Sequence, residues 1–284
     1  KNVHDFSIKH KIPKFYLNPS DLIENSSEWE ALLILSPVST MVSYLEEAII
    51  HGKPILVEKP VALNHLSLSG LIDYSNIRVA FNRRFYSGAS LAKNFIKSHP
   101  NSVIKVTIPE SRLDPNHNIN FPEKLPLNSY ENSVHIYDLI NFICGGVKWE
   151  TTKVIKTKEM YIGFTASGVS SNSEVIHLDS FYNSPENFSI NVISGNQRLE
   201  MKPLEVTSLY QGMVISEPSE EMPIRVYKPL LKDQIIDIPI NGHKPGFLEQ
   251  ANDFMKFCIK RKDCIGADIR DAYNALKLVQ NVIK

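Results

Sequence analysis

Three short apolar runs near the start of the chain restrict its fold more than any other feature. They are Ala31-Leu32-Leu33-Ile34-Leu35, Ile55-Leu56-Val57 and Ile77-Arg78-Val79-Ala80-Phe81. Strand-length runs with so little polar alternation read as buried strands of a parallel sheet. Ser36-Pro37 stops the first run, and Pro54 and Pro60 flank the second. Helical stretches fill the gaps: Val42 to His51, closed by Gly52, and His65 to Ser75. This βαβα rhythm predicts a doubly wound parallel sheet. Ahead of it, Lys1 to His10 reads as the tail of a helix and Lys14-Phe15-Tyr16 as a short edge strand. Ser20 reads as the N-cap of a helical turn.

The second run ends in chemistry. Ligands of open α/β sheets lie just beyond the carboxyl ends of the strands. Lys59, in Glu58-Lys59-Pro60, stands at such an end. Pro60 turns Lys59 away from helical angles, which aims an ammonium group at whatever fills the crevice. The competing reading is a solvated lysine at a strand end.

After Phe85 the pattern changes. Gly88 to Ser98 has helical periodicity, and Val103 to Ile108 alternates like a half-buried strand. Arg112 to Ser129 is polar and proline-rich and reads as a long loop. Tyr130 to Ile143 is a helix ended by Cys144-Gly145-Gly146. Strand signals dominate from Val147 to Ile240, with Gly195-Asn196 as a hairpin turn. Alternate apolar positions there suffice for two covered faces. Gly246 to Arg261 and Asp268 to Ile283 are helical. The expected fold class is α/β followed by α+β. Residues 1–86 form a partial Rossmann-type parallel sheet. Residues 87–284 form a large, mainly antiparallel sheet with flanking helices, the last of them in 246–284.

Glu131, His135 and Asp138 make a second constellation. Spacings of four and three residues put all three on one face of a regular helix. Imidazole has the intrinsic pKa for proton transfer near neutrality, and a carboxylate beside it can orient it. A glutamate favouring a helix N-terminus and an aspartate pairing with a neighbour are the structural alternative. A divalent-metal site is a third reading, though no further His or Cys cluster completes it.

Composition removes some function classes. Lys and Arg total 31, as do Asp and Glu, so the formal net charge is +0. That balance argues against nucleic acid or an anionic membrane as partner. No apolar run is long enough to span a bilayer, and no secretory signal is visible. Cys144, Cys258 and Cys264 have neither zinc spacing nor even number, and fit free thiols in a reducing cytoplasm. The chain opens on Lys1 inside a helical pattern, which suggests that residues precede it or that it was trimmed.

Taken in order, these pieces resemble the family of glucose–fructose oxidoreductase, inositol dehydrogenase and MocA (Gfo/Idh/MocA). Ala31 to Thr40 is similar to its strand and cofactor-side loop, and Glu58-Lys59-Pro60 matches its EKP motif. Val79 to Phe85 is similar to the strand leaving its dinucleotide domain. Glu131 to Asp138 matches its D-x-x-x-H-x-x-D helix with Glu131 for the first Asp, and Pro245 to Gln250 resembles the start of its late helix. The resemblance implies a nicotinamide-dependent oxidoreductase, using NAD or NADP, acting on a carbohydrate-type small molecule. It places Ser36, Pro37, Glu58, Lys59 and Arg84 on the cofactor side. It makes His135 the general base, with Lys59 and Glu131 as its catalytic companions. Lys59, Glu131, His135 and Asp138 would face the substrate, and no metal is called for. A homodimer or homotetramer is expected from the large sheet. No G-x-G-x-x-G occurs in the sequence. Relative to the family, the chain therefore starts after the first strand, the glycine loop, its helix and the second strand. A truncated, non-catalytic sugar-binding or protein-interaction module is the competing function.

Overall fold

The computed structural model describes residues 3–110, 129–158, 161–260 and 263–283. The expected polar loop therefore lies outside the described residues except for its last member, Ser129. The chain divides into two compact units. One comprises residues 1–80 and 253–273, the other residues 81–252 and 274–284.

The first unit is built on the three apolar runs. β1 (Leu32–Ile34), β2 (Ile55–Val57) and β3 (Ile77–Val79) pair in parallel, with Leu32 opposite Ile55 and Ile55 opposite Ile77. A short strand, Ala267–Asp268, adds antiparallel to β3 and makes the order β1-β2-β3 plus this edge. Helix α3 (Val38–Ile49) follows α1 (Val3–Lys9) and α2 (Pro19–Glu24). α3 buries Met41, Leu45, Ala48 and Ile49, a spacing that lines one helical face. Gly52, at φ +65°, makes the left-handed turn that releases the chain into β2.

Four local expectations fail for physical reasons. Asn18, not Ser20, caps α2, its side-chain oxygen accepting from the Ser20 amide at 3.2 Å. Leu33 and Leu35 are 55% and 68% exposed: they alternate with buried Leu32 and Ile34, and the face of β1 that carries them is left open among the described residues. Lys14 to Tyr16 is no strand: the Lys14 ammonium and the Tyr16 hydroxyl both donate to the Glu28 carboxylate instead. His65 to Ser75 forms only a 3₁₀ turn, His65–Leu68, capped by the Asn64 side chain on the Leu66 amide. Ser67, Ser69 and Gly70 are poor helix formers, and they stop propagation there.

The second unit is an eight-stranded sheet with helices on one face. A 3₁₀ turn, Asn82–Phe85, leads into α4 (Ser87–Ser98) and then β4 (Val103–Ile108). A π turn, Ser129–Ser133, leads into α5 (Val134–Cys144). The meander continues as β5 (Val147–Lys156), β6 (Tyr161–Ser170), β7 (Val175–Phe181) and β8 (Ser189–Ser194). β9 (Gln197–Met201), β10 (Val206–Ser216) and β11 (Val226–Ile236) complete it. The strand order is 11-10-9-8-4-7-6-5, antiparallel except where β4 runs parallel to β7. Gly195 at φ +55° turns β8 into β9 through a two-residue loop, as the sequence suggested. α6 (Phe247–Cys258) and α7 (Ile269–Ile283) close the chain.

Ile104, Val106 and Ile108 of β4, with Ile176 and Leu178 of β7, point inward and are buried. Their neighbours Lys105, His177 and Asp179 point outward, joined by Asn191 and Glu200, so the second face is polar at its centre. The exposed apolar residues gather instead in the β10–β11 hairpin, at Met213, Val214, Ile215, Tyr227 and Ile236. Beyond Gln211 this hairpin pairs only with itself among the described residues. No helix among the described residues is long and apolar enough to cross a membrane.

Gly246 ties this unit's entry turn to the loop before α6. It sits at φ +83°, and a Cβ there would lie 2.3 Å from the Asn82 carbonyl oxygen. The Asn82 amide also donates to the Pro245 carbonyl at 3.2 Å. Gly246→Ala should therefore cost about 2–4 kcal/mol, from a strained dihedral and overpacking together. Gly52→Ala has an open surround and should cost only about 1 kcal/mol. Urea midpoints of the two variants check the difference.

Candidate active site

In the first unit the candidate residues stand at the carboxyl ends of neighbouring strands. Ile34 is paired with Val57, so Ser36 and Lys59 each lie two residues past a matched pair. The Ser36 hydroxyl is buried and has no hydrogen-bond partner among the described residues. Pro37, exposed and extended, opens α3 directly behind it. Glu58 folds back so that its carboxylate accepts from the Lys59 amide at 2.6 Å. Lys59 is half-buried, and the residues after it, Pro60, Val61 and Ala62, are buried and anchor the turn. An apolar run that must stop where the sheet stops thus leaves a hydroxyl, a carboxylate and an ammonium at its edge.

In the second unit the constellation is rearranged. Glu131 lies in the π turn, which closes i→i+5 rather than i→i+4. The four-residue step to His135 is therefore not the α step expected from spacing. Glu131 is exposed while Ser129, Tyr130 and Ser133 around it are buried. His135 is 7% exposed at the first turn of α5, its ring edge-on to Phe81 at 5.7 Å between centroids. α5 buries almost its whole circumference and ends at Gly145 in the left-handed cap, whose amide donates to the Asn141 carbonyl. That burial fixes His135 in place.

Asp138 is taken by Arg84. Both its oxygens accept from Arg84, Nε at 2.8 Å and Nη2 at 2.6 Å. The side chains are 1% and 5% exposed, a fully desolvated fork-to-fork pair. The Arg84 guanidinium also lies 5.1 Å above the Phe142 ring, and the Lys93 ammonium approaches the same ring at 4.1 Å. Arg84, expected on the cofactor side, has its fork directed to α5, and both carboxylate oxygens of the proposed metal trio's last member are engaged by it.

Sequence reasoning missed a buried polar cluster beside the π turn. Glu110, just past β4, is 1% exposed, and the Asn132 amide donates to it at 3.4 Å. Arg83 lies in its field and in that of Glu205, and burial pulls the guanidinium below its usual pKa. Tyr86 donates to Glu205 at 3.2 Å. Burial, reinforced by the Glu205 charge, pushes the Tyr86 phenol up to about 12. An available signal was Pro109-Glu110, an acid ending an alternating strand just as Glu58 ends β2.

No protein-family model matches the chain, and no curated protein matches it. Solved structures do. An NAD-binding oxidoreductase from Klebsiella pneumoniae superposes with a TM-score of 0.74 at 14% identity, covering 99% of this chain and 84% of that one. The Gfo/Idh/MocA fold is the one this chain adopts. A levoglucosan dehydrogenase, solved with NADH and levoglucosan, gives 0.72 at 14% identity over 99% and 83% of the two chains. A UDP-N-acetylglucosamine 3-dehydrogenase from Acidithiobacillus ferrooxidans gives 0.70 at 14% over 99% and 84%.

Removing one partner of the Arg84–Asp138 pair strands a buried charge. Asp138→Ala should cost about 3–5 kcal/mol, and adding Arg84→Met to it should recover much of that loss. Thermal unfolding of the single and double variants measures this. Tyr86 predicts an alkaline effect. Its phenol is more firmly protonated folded, at about 12, than unfolded, at 10.0. Its contribution is complete below pH 10 and lost as pH rises toward 12. Tyr86→Phe should flatten the fall in stability above pH 10, read from urea midpoints.

Proposed function

We propose that this protein is a nicotinamide-dependent oxidoreductase that moves a hydride between NAD or NADP and a carbinol carbon of a sugar, cyclitol or sugar derivative. The observation that carries it is that one chain of this fold holds both Glu58-Lys59-Pro60, at the carboxyl end of a parallel strand in the first unit, and His135, at the first turn of a buried helix in the second. The partnerless Ser36 hydroxyl beside those strand ends suits a bound polar cofactor. Ser36, Pro37, Glu58 and Lys59 would hold it, within a cofactor half spanning residues 1–86. Bound there, the nicotinamide supplies the hydride acceptor or donor.

The residues divide the remaining work. The Lys59 ammonium hydrogen-bonds the reacting hydroxyl and favours its alkoxide character. His135 takes the hydroxyl proton as neutral imidazole and returns it in the reverse direction. Glu131, exposed on its turn, accepts hydrogen bonds from neighbouring sugar hydroxyls. Asp138 acts at one remove, holding α5 through Arg84. The solved sugar dehydrogenases of the same fold support a carbohydrate substrate.

Titration of the full chain with NADH and NADPH, followed by fluorescence, tests the cofactor assignment. Micromolar binding is expected, and its absence for both sinks the reading in favour of a non-catalytic module. With levoglucosan and UDP-N-acetylglucosamine as first substrates, His135→Ala should lower turnover about 10²–10⁴-fold. NADH affinity should stay within about threefold of wild type, since the imidazole does not hold the cofactor.

Self-association belongs to the same proposal. The uncovered apolar residues of β10–β11 fit a homodimer or homotetramer. Ile215→Asp with Tyr227→Asp should shift the mass in light scattering toward monomer. A wild-type protein that is already monomeric removes this part.

A further inference from the structure

The π turn that carries Glu131 leans on a buried charge. Glu110 is pinned by its backbone on both sides: its amide donates to the Ile108 carbonyl at 3.1 Å, and its carbonyl accepts from the Asn183 amide at 2.7 Å. The direction of its side chain follows from that. Its carboxylate takes the Asn132 amide at 3.4 Å, and the Arg83 guanidinium lies in its field. The Arg83 guanidinium also lies over the Phe188 ring, 5.0 Å from its centroid. Asn132 is the residue next to Glu131.

A carboxylate taken out of water is costly, and an apolar cluster of the same volume holds a core equally well. The charge therefore does something that apolar packing does not. A π turn re-aims a side chain against the helical register and collects at functional sites. Its i→i+5 closure needs an outside anchor, because local propensity favours the α closure. Glu110 supplies the anchor through Asn132. We propose that Glu110 is a positioning residue: with Arg83 behind it, it clamps Asn132 and so fixes the direction in which Glu131 leaves the π turn. The inference rests on the assignment of Glu131 as the partner of the substrate hydroxyls.

Hydrogen exchange on the full chain, without substrate, tests the clamp directly. Asn132→Leu, on a half-buried residue, should speed exchange of the amides of residues 131–135 at least about tenfold, with the rest of the unit unchanged. Glu110→Gln, which keeps an acceptor oxygen, should stay nearer wild type than Glu110→Leu. Unchanged exchange at 131–135 in Asn132→Leu overturns the inference. So does a uniform loss of protection across residues 81–110 and 134–201, which marks a merely structural role. A kinetic arm separates the inference from its premise. On a sugar that the wild type oxidises, Asn132→Leu should raise KM about tenfold and leave NADH affinity within twofold. An equal fall in kcat with unchanged KM also overturns it. If the wild type oxidises neither sugar of the panel, the substrate assignment fails, and the exchange result still decides whether Glu110 holds the turn.

Discussion

The Arg84–Asp138 pair fixes the second unit. Arg84 lies in the 3₁₀ turn that begins it, and Asp138 lies in the middle of α5, so one bidentate contact joins residues 54 apart in sequence. Because both side chains are desolvated, each holds the other at a cost that rises steeply with misplacement. α5 is buried on nearly all sides and has little polar surface with which to set its rotation. The pair sets it. His135, three residues earlier on the same helix, inherits that rotation together with its edge-on contact to Phe81. The His135 ring is thus positioned by a charge pair one turn further along the helix.

The same economy recurs at the strand ends. β1 and β2 stop in register, and the residues immediately past the register are the ones able to bind and polarise. Nothing flexible separates Lys59 from its strand: apolar Pro60, Val61 and Ala62 are buried at once behind it. A short strand with a buried turn after it fixes where the Lys59 side chain leaves the backbone, at the edge where α/β sheets bind ligands.

Much of this was legible in the sequence. The three apolar runs gave the parallel sheet, because a period signal needs no partner to be read. Glu58-Lys59-Pro60 and the Glu131–His135 stretch were visible as residue types at strand and helix ends. The legible part stopped where an outcome depended on long-range pairing. Spacing alone placed Asp138 with Glu131 and His135, whereas Arg84, far away in sequence, takes it. The same spacing assumed α geometry for residues 129–135, and the π turn broke it. Lys14 to Tyr16 had strand composition, but two polar side chains found Glu28 and no ladder formed. The alternation of the later strands promised two apolar faces, whereas Lys105, His177 and Asp179 made the second face polar at its centre.

Where the charges are buried is itself an argument about what they are for. Arg84, Glu110 and Asp138 are withdrawn from solvent and Arg83 is half-buried, and all four lie on the 3₁₀ turn, the end of β4 or α5. Elsewhere between Ile104 and Met201 the core is mainly aliphatic and aromatic, with one further buried acid, Glu174, which accepts from the Ser170 hydroxyl. A core that needed only stability would spread apolar packing through this corner as well, since buried ion pairs seldom exceed their apolar replacements in stability. Fork-and-carboxylate geometry adds direction, which dispersion contacts lack. The directed interactions reach Asn132, the neighbour of Glu131, and Asp138, one turn from His135, the two side chains that would have to be aimed being Glu131 and His135. The polar corner is therefore best understood as orientation built at the expense of stability, and its location argues for the site independently of any resemblance in the motifs.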